Sequence, residues 1–269
     1  MRALIKTGFT LLLLAFVLIS AAYAALRVHG ISAPANSEGR VVVTEKRPVT
    51  RDVTNVELSG PINLTVRRGD TPSLTVRGEQ RLLANIATEQ EGSSLQIGVS
   101  GMLLYHRHKT EVELVLPALE NIEVAGSGVH TVNGFSGDRI EITKRGSGRL
   151  VFNGRFRQVV ASATGSGETE INGGNSEKVA IEMIGSGEMT VVGSCKDLRA
   201  EHSGTGELNA QHLAADHAVL EQHGSGSSSI FARRGAVLTL AGSGDAEIHG
   251  NPAQRSVTRS GAGEVNFRN

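Results

Sequence analysis

Gly-x-Gly recurs eight times from residue 126 onward, with first glycines at Gly126, Gly146, Gly165, Gly185, Gly204, Gly224, Gly242 and Gly261. The successive intervals are 20, 19, 20, 19, 20, 18 and 19 residues. A fixed period of this size marks a repeat architecture, in which one unit cannot bury its apolar face alone and stacked neighbours share a core. The second glycines, Gly128, Gly148, Gly167, Gly187, Gly206, Gly226, Gly244 and Gly263, complete the corners. Stacked turns need the same dihedrals at every corner, and positive φ or close chain approach selects glycine each time. The chain carries 33 glycines but only 6 prolines, which suits many tight turns better than disorder.

Alignment on the first glycine makes the repeat legible. Four residues before it stand Ile122, Ile142, Ala161, Ile181, Ala200, Leu220, Leu238 and Val257; six after it stand Val132, Phe152, Ile171, Val191, Ala210, Ile230, Ile248 and Phe267. Every one is apolar. The position four after the glycine is mostly apolar, with His130, Thr169 and Ser228 as exceptions, and the positions between are polar. Alternation of period two puts one face of a strand inward. At ~3.3 Å per residue a 19-residue repeat traces about 60 Å, enough for three sides of roughly 20 Å. The expected fold is all-β, a right-handed parallel β-solenoid of 18–20-residue rungs with Gly-x-Gly corners.

The remainder of the chain divides around this array. Arg2 and Lys6 stand before the start of the apolar run 9–19, and Ala22-Tyr23-Ala24 offers a small-x-small cleavage site, so residues 1–24 read as a signal peptide. An uncleaved membrane anchor is the rival. Residues 25–47 read as a flexible tether and 48–269 as the solenoid, with irregular opening rungs over 48–120 and eight regular rungs over 121–269. A short helical turn is expected near 79–86. The segment 60–66 (GPINLTV) echoes 126–132 (GSGVHTV), which extends the same architecture backwards.

Several candidate sites can be weighed on the residues alone. Glu182, Glu201 and Glu221 sit three before the corner on consecutive rungs, and Glu168, Glu188 and Glu207 sit three after it. Carboxylates stacked at ~5 Å repel, so such columns are either hydrated or hold cations such as Ca²⁺; hydration is the simpler reading. His106 and His108 could share a strand face, but only two ligands are visible beside basic Arg107 and Lys109. His202 and His223 read as surface residues. Cys195, the only cysteine, reads as a small buried residue with no disulfide partner. Arg68-Gly69-Asp70 reads as a turn. The serines of the Gly-Ser-Gly corners recur alike, whereas a nucleophile would be singular, and no helix follows the glycines as a phosphate loop requires. Without residues 1–24, which hold two of the 27 basic residues and no acid, the balance is 25 against 27, or −2, which gives no nucleic-acid footprint. No cofactor is expected.

The segment Val112-Glu113-Leu114-Val115-Leu116-Pro117-Ala118-Leu119, followed by Val124-Ala125-Gly126-Ser127-Gly128, resembles the head GIN domain (DUF2807) of auto-transporter adhesins. The stretches 56–69 and 74–97 are similar to that domain's opening section, and the resemblance covers about residues 48 to 269. It implies a bacterial exported β-solenoid with no catalytic residues to carry over. The expected function is a non-enzymatic module for adhesion or envelope interaction, in the periplasm or at the cell surface, with an unidentified protein or glycan partner. Contact with membrane is expected only through an uncleaved anchor. A polysaccharide lyase or hydrolase is the alternative enzyme reading, and a polymer built by end or side stacking of copies is the third.

Overall fold

The computed structural model describes residues 41–101 and 108–268. The expected signal peptide, most of the expected tether and His106 lie outside the described residues. Six long strands carry the repeat: β9 (Val129–Arg145), β10 (Arg149–Gly165), β11 (Glu168–Gly185), β12 (Glu188–Gly204), β13 (Glu207–Gly224) and β14 (Ser227–Gly242). Each pairs in parallel with the next, in register across the corner, for example Gly165 with Gly185 and Gly185 with Gly204. The array closes with β15 (Ala246–His249), β16 (Gln254–Ser260) and β17 (Val265–Arg268). The fold is a parallel β-solenoid. Eight corners enclose seven complete coils. After the eighth corner, at Gly261, stands β17.

The alternation of the sequence is the alternation of burial. In β13, Leu208 and Ala210, then Leu213 and Ala215, then Ala218, Leu220 and Gln222 are buried. Between these groups two successive residues, Gln211-His212 and Asp216-His217, face outward, and the glycine corner supplies the third break. The coil therefore has three sides. Its interior is one continuous apolar core from Val53 to Ile248. Cys195 belongs to it, and burial together with the Asp197 and Asp216 charges pushes its thiol up to about 12.

At the corners the two glycines answer different demands. Gly146 has φ +100°, a backbone that L side chains rarely adopt, and a Cβ there would lie 2.6 Å from the Gly126 carbonyl oxygen. For Gly148 the demand is proximity alone. Its N–H donates to the Gly126 carbonyl at 2.9 Å, and a Cβ would lie 2.6 Å from the Gly128 oxygen.

The opening section builds the base of the same coil. The strands β2 (Asn55–Ser59) and β3 (Ile62–Arg68) run beneath β8 (Asn121–Ala125) and β9, so the corner column begins at Gly60. Around this base three further pairings are antiparallel. They are β1 (Val42–Arg47) on β4 (Ser73–Glu79), β4 on β7 (Thr110–Leu116), and β5 (Ile86–Glu91) on β6 (Ser94–Val99). Residues 42–47, expected within the tether, are thus a strand: alternation there is too short to stand alone but finds an edge on β4. The one-turn helix α1 (Gln80–Leu83) tucks Leu82 and Leu83 under this end.

Candidate functional site

A solenoid offers its partners columns of outward side chains at a spacing of ~4.8 Å, fixed by strand pairing. The three sides differ in what these columns carry. Three residues after the corner, Glu168 pairs with Glu188 and Glu188 with Glu207. With Ser166, Ser186, Thr205 and Ser227 they line a shallow groove of about 450 Å³. Arg149 stands one coil below, 3.4 Å from Glu168, and also pairs with Glu170. Partial desolvation first, and then the shared hydrogen bond and charge of Glu170, hold the Glu168 pKa above the usual carboxylate range.

Three residues before the corner, Glu182, Glu201 and Glu221 do form a column, as the spacing predicts. Two of the three are ion-paired. Arg199 donates to Glu201 at 2.8 Å and to Glu221 at 3.0 Å, and the Ser162 hydroxyl donates to Glu182 at 3.1 Å. Among the described residues no three His, Cys, Asp or Glu side chains converge as a metal site requires. Arg199 reaches Glu201 along its own strand and Glu221 across to the next coil, and only the second contact is hidden from spacing along a single rung.

The interior of the glycine corner holds what the sequence reading missed. Two residues before the corner the side chain points inward, yet this column contains Lys144, His202 and Gln222 beside Val124, Met183 and Leu240. His202 is fully buried, not a surface residue, and its Nδ1 lies 2.9 Å from the Ser228 hydroxyl; His223 is exposed. Gln222 donates to the Gly226 carbonyl at 2.7 Å and Lys144 to that of Gly146 at 2.9 Å. The missing Cβ of each second glycine provides the room: a methyl on Gly226 would fall 2.5 Å from the His202 ring. Burial, and then the Lys144 charge, lower the His130 pKa to about 4. These groups are sealed from solvent inside the corner.

At the second corner a groove of about 520 Å³ opens between Arg68, Ser136, Asn153, Arg155 and Asn172, over Gly134, Gly154 and Gly174. Arg68, read in the sequence only as part of a turn, forms its lower wall.

The comparisons with known proteins agree with this architecture. The family model described as "Putative auto-transporter adhesin, head GIN domain" matches residues 52–252. No curated protein matches the chain. Among solved structures, a "putative lipid binding protein" from Parabacteroides distasonis ATCC 8503 is similar with a TM-score of 0.80 at 22% identity, covering 85% of this chain and 97% of that one. A "putative adhesin" from Parabacteroides merdae ATCC 43184 is similar with a TM-score of 0.79 at 18% identity, covering 85% and 96%. At these identities the likeness is one of fold. The family match spans most of the chain, and on that ground this β-solenoid belongs to the head GIN domain family of auto-transporter adhesins.

Proposed function

We propose that this chain is an exported, non-enzymatic module of the bacterial envelope or cell surface that works by adhesion. The observation that carries the reading is the family match over residues 52–252, made to a coil whose outward columns repeat in strict register. Such a surface offers many identical weak contacts along one axis, and avidity converts these into firm attachment without a deep pocket. Export rests on the apolar segment and cleavage pattern of residues 1–24.

The enzyme alternative finds less support. A polysaccharide lyase or hydrolase on a solenoid needs one singular acid–base set in a walled cleft. Here Glu168, Glu188 and Glu207 are repeats of one position, and the coils hold to 18–20 residues with no long loops above them. The test is a binding screen of the purified full chain against envelope fractions and glycans, run beside depolymerisation assays on pectin, alginate and glycosaminoglycans. Binding without product release is expected. Release of oligosaccharides at a rate above the buffer control would reverse the assignment.

A further inference from the structure

We propose that the groove at the second corner is a binding site for an acidic oligosaccharide lying along the solenoid axis, with Arg68 and Arg155 as its anion-binding groups. This deepens the adhesion reading and rests on it for its biological setting, though not for its chemistry.

The groove spans four layers of the coil. Arg68 closes β3, Gly134 and Ser136 lie on β9, Asn153 and Arg155 on β10, and Asn172 and Gly174 on β11. At ~4.8 Å per layer it runs about 14 Å along the axis, and two layers, about 10 Å, separate the backbones of the two arginines. Its shape comes from glycine. Gly134 and Gly174 hold φ of +87° and +65°, and a Cβ on Gly174 would crowd the Arg155 Cγ at 3.1 Å. Without side chains there, each arginine has open surface above it on the next coil.

The charge of the groove is unlike that of the neighbouring surface. Arg149, Arg157 and Arg199 each pair with two carboxylates. No carboxylate lines the second-corner groove. Among the described residues Arg155 makes no ion pair, and Arg68 reaches only the Ser136 hydroxyl, at 3.5 Å. Two guanidinium groups presented without counter-charge suit an oxyanion, since the planar donor fork matches carboxylate or sulfate with two parallel bonds.

The remaining lining points to a sugar chain as the carrier of those anions. Asn153 donates to Asn133 at 2.8 Å, continuing an amide ladder, and Asn172 accepts from the Gly174 N–H, which leaves its own amide nitrogen as a donor. Amides and a hydroxyl beside arginines fit ring hydroxyls beside carboxylates. A bilayer surface fits poorly, because the one apolar side chain in the lining, Phe135, is only 2% exposed and offers nothing to insert. The separation of the two arginines along the axis also favours an extended chain with repeated charges over a single small ion.

The test titrates the full chain calorimetrically with oligogalacturonate, oligoalginate and heparan oligosaccharide. Controls are methyl-esterified oligogalacturonate, inorganic sulfate and phosphatidylglycerol vesicles. The expected result is binding of at least one acidic oligosaccharide, with the esterified chain and sulfate much weaker. Arg68→Ala and Arg155→Ala should each weaken it by about tenfold. Arg157→Ala, which removes an arginine already held by Asp138 and Glu177, should leave it unchanged. Unchanged melting temperatures of the exposed-site variants keep a folding defect from mimicking the loss. Equal binding of esterified and acidic chains, insensitivity to both arginines, or an arginine-dependent affinity for vesicles alone would overturn the proposal. If no acidic oligosaccharide binds while the chain still adheres to envelope material, the groove inference falls and adhesion stands. Arginine-dependent binding by a chain that adheres to nothing is the reverse case.

Discussion

A glycine corner tolerates its middle residue and not its flanks. Ser147 is exposed and hydrogen-bonds to no side chain, whereas a Cβ at Gly148 meets the carbonyl beneath it at 2.6 Å. Ser147→Ala should therefore change stability by no more than about 0.5 kcal/mol, and Gly148→Ala should cost about 2–4 kcal/mol, both read from the urea midpoint. His130 gives a second handle at this scale. Its folded pKa of about 4 lies below the usual 6.5. Below pH 6.5 the unfolded chain takes up a proton that the folded chain refuses until about pH 4. Stability should thus fall as pH drops through that window, by up to about 3 kcal/mol. His130→Leu, which matches Leu150 one coil above in the same column, should flatten the slope between pH 6.5 and 4 in the same denaturation series.

At the scale of strands, the long ladders behave as sequence periodicity says they must, while pairings that cross between rungs do not show in it. The columns at four before and six after the corner are buried through the regular coils. Val257, at 39% exposed, and the partly buried Phe267 depart from this on the last coil. The column two before the corner is not evident in the sequence, because polar Lys144, His202 and Gln222 stand among its members. Its apolar members, Val124, Met183 and Leu240, were the available signal. The antiparallel pairings around the base are hidden for a different reason: β1 reaches β4 across some 30 residues with no repeat to announce it. The arginine groove lies beyond sequence reasoning altogether, since Arg68 and Arg155 are 87 positions apart and meet only through the coil. Among surface ladders, Arg199 ties Glu201 to Glu221 while remaining exposed. Arg199→Ala should lower the thermal midpoint slightly at low ionic strength, and the difference should vanish near about 1 M salt, where exposed charges are screened.

For the molecule as a whole, the two ends are finished differently. Among the described residues, antiparallel strands and α1 cover the first coil. At the other end Arg255 and Arg259 stand where earlier coils carry inward residues such as Ala236 and Leu240. The Arg255 guanidinium lies 4.2 Å from the Phe267 ring centroid and donates to the Pro252 carbonyl, and Arg259 reaches the Gly263 carbonyl. Charge laid over an exposed core is a device against edge-to-edge association. Sedimentation velocity should find a monomer, and the double variant Arg255→Ile with Arg259→Leu should associate. On the adhesion reading proposed above, a monomeric coil would attach through its sides. The most direct test is the retention under flow of beads coated with the full chain, on immobilised bacterial envelope material. Adhesion predicts retention several-fold above uncoated beads, with no depolymerised product in the eluate. Retention equal to that of uncoated beads, or loss of attachment accompanied by released oligosaccharides, would contradict it.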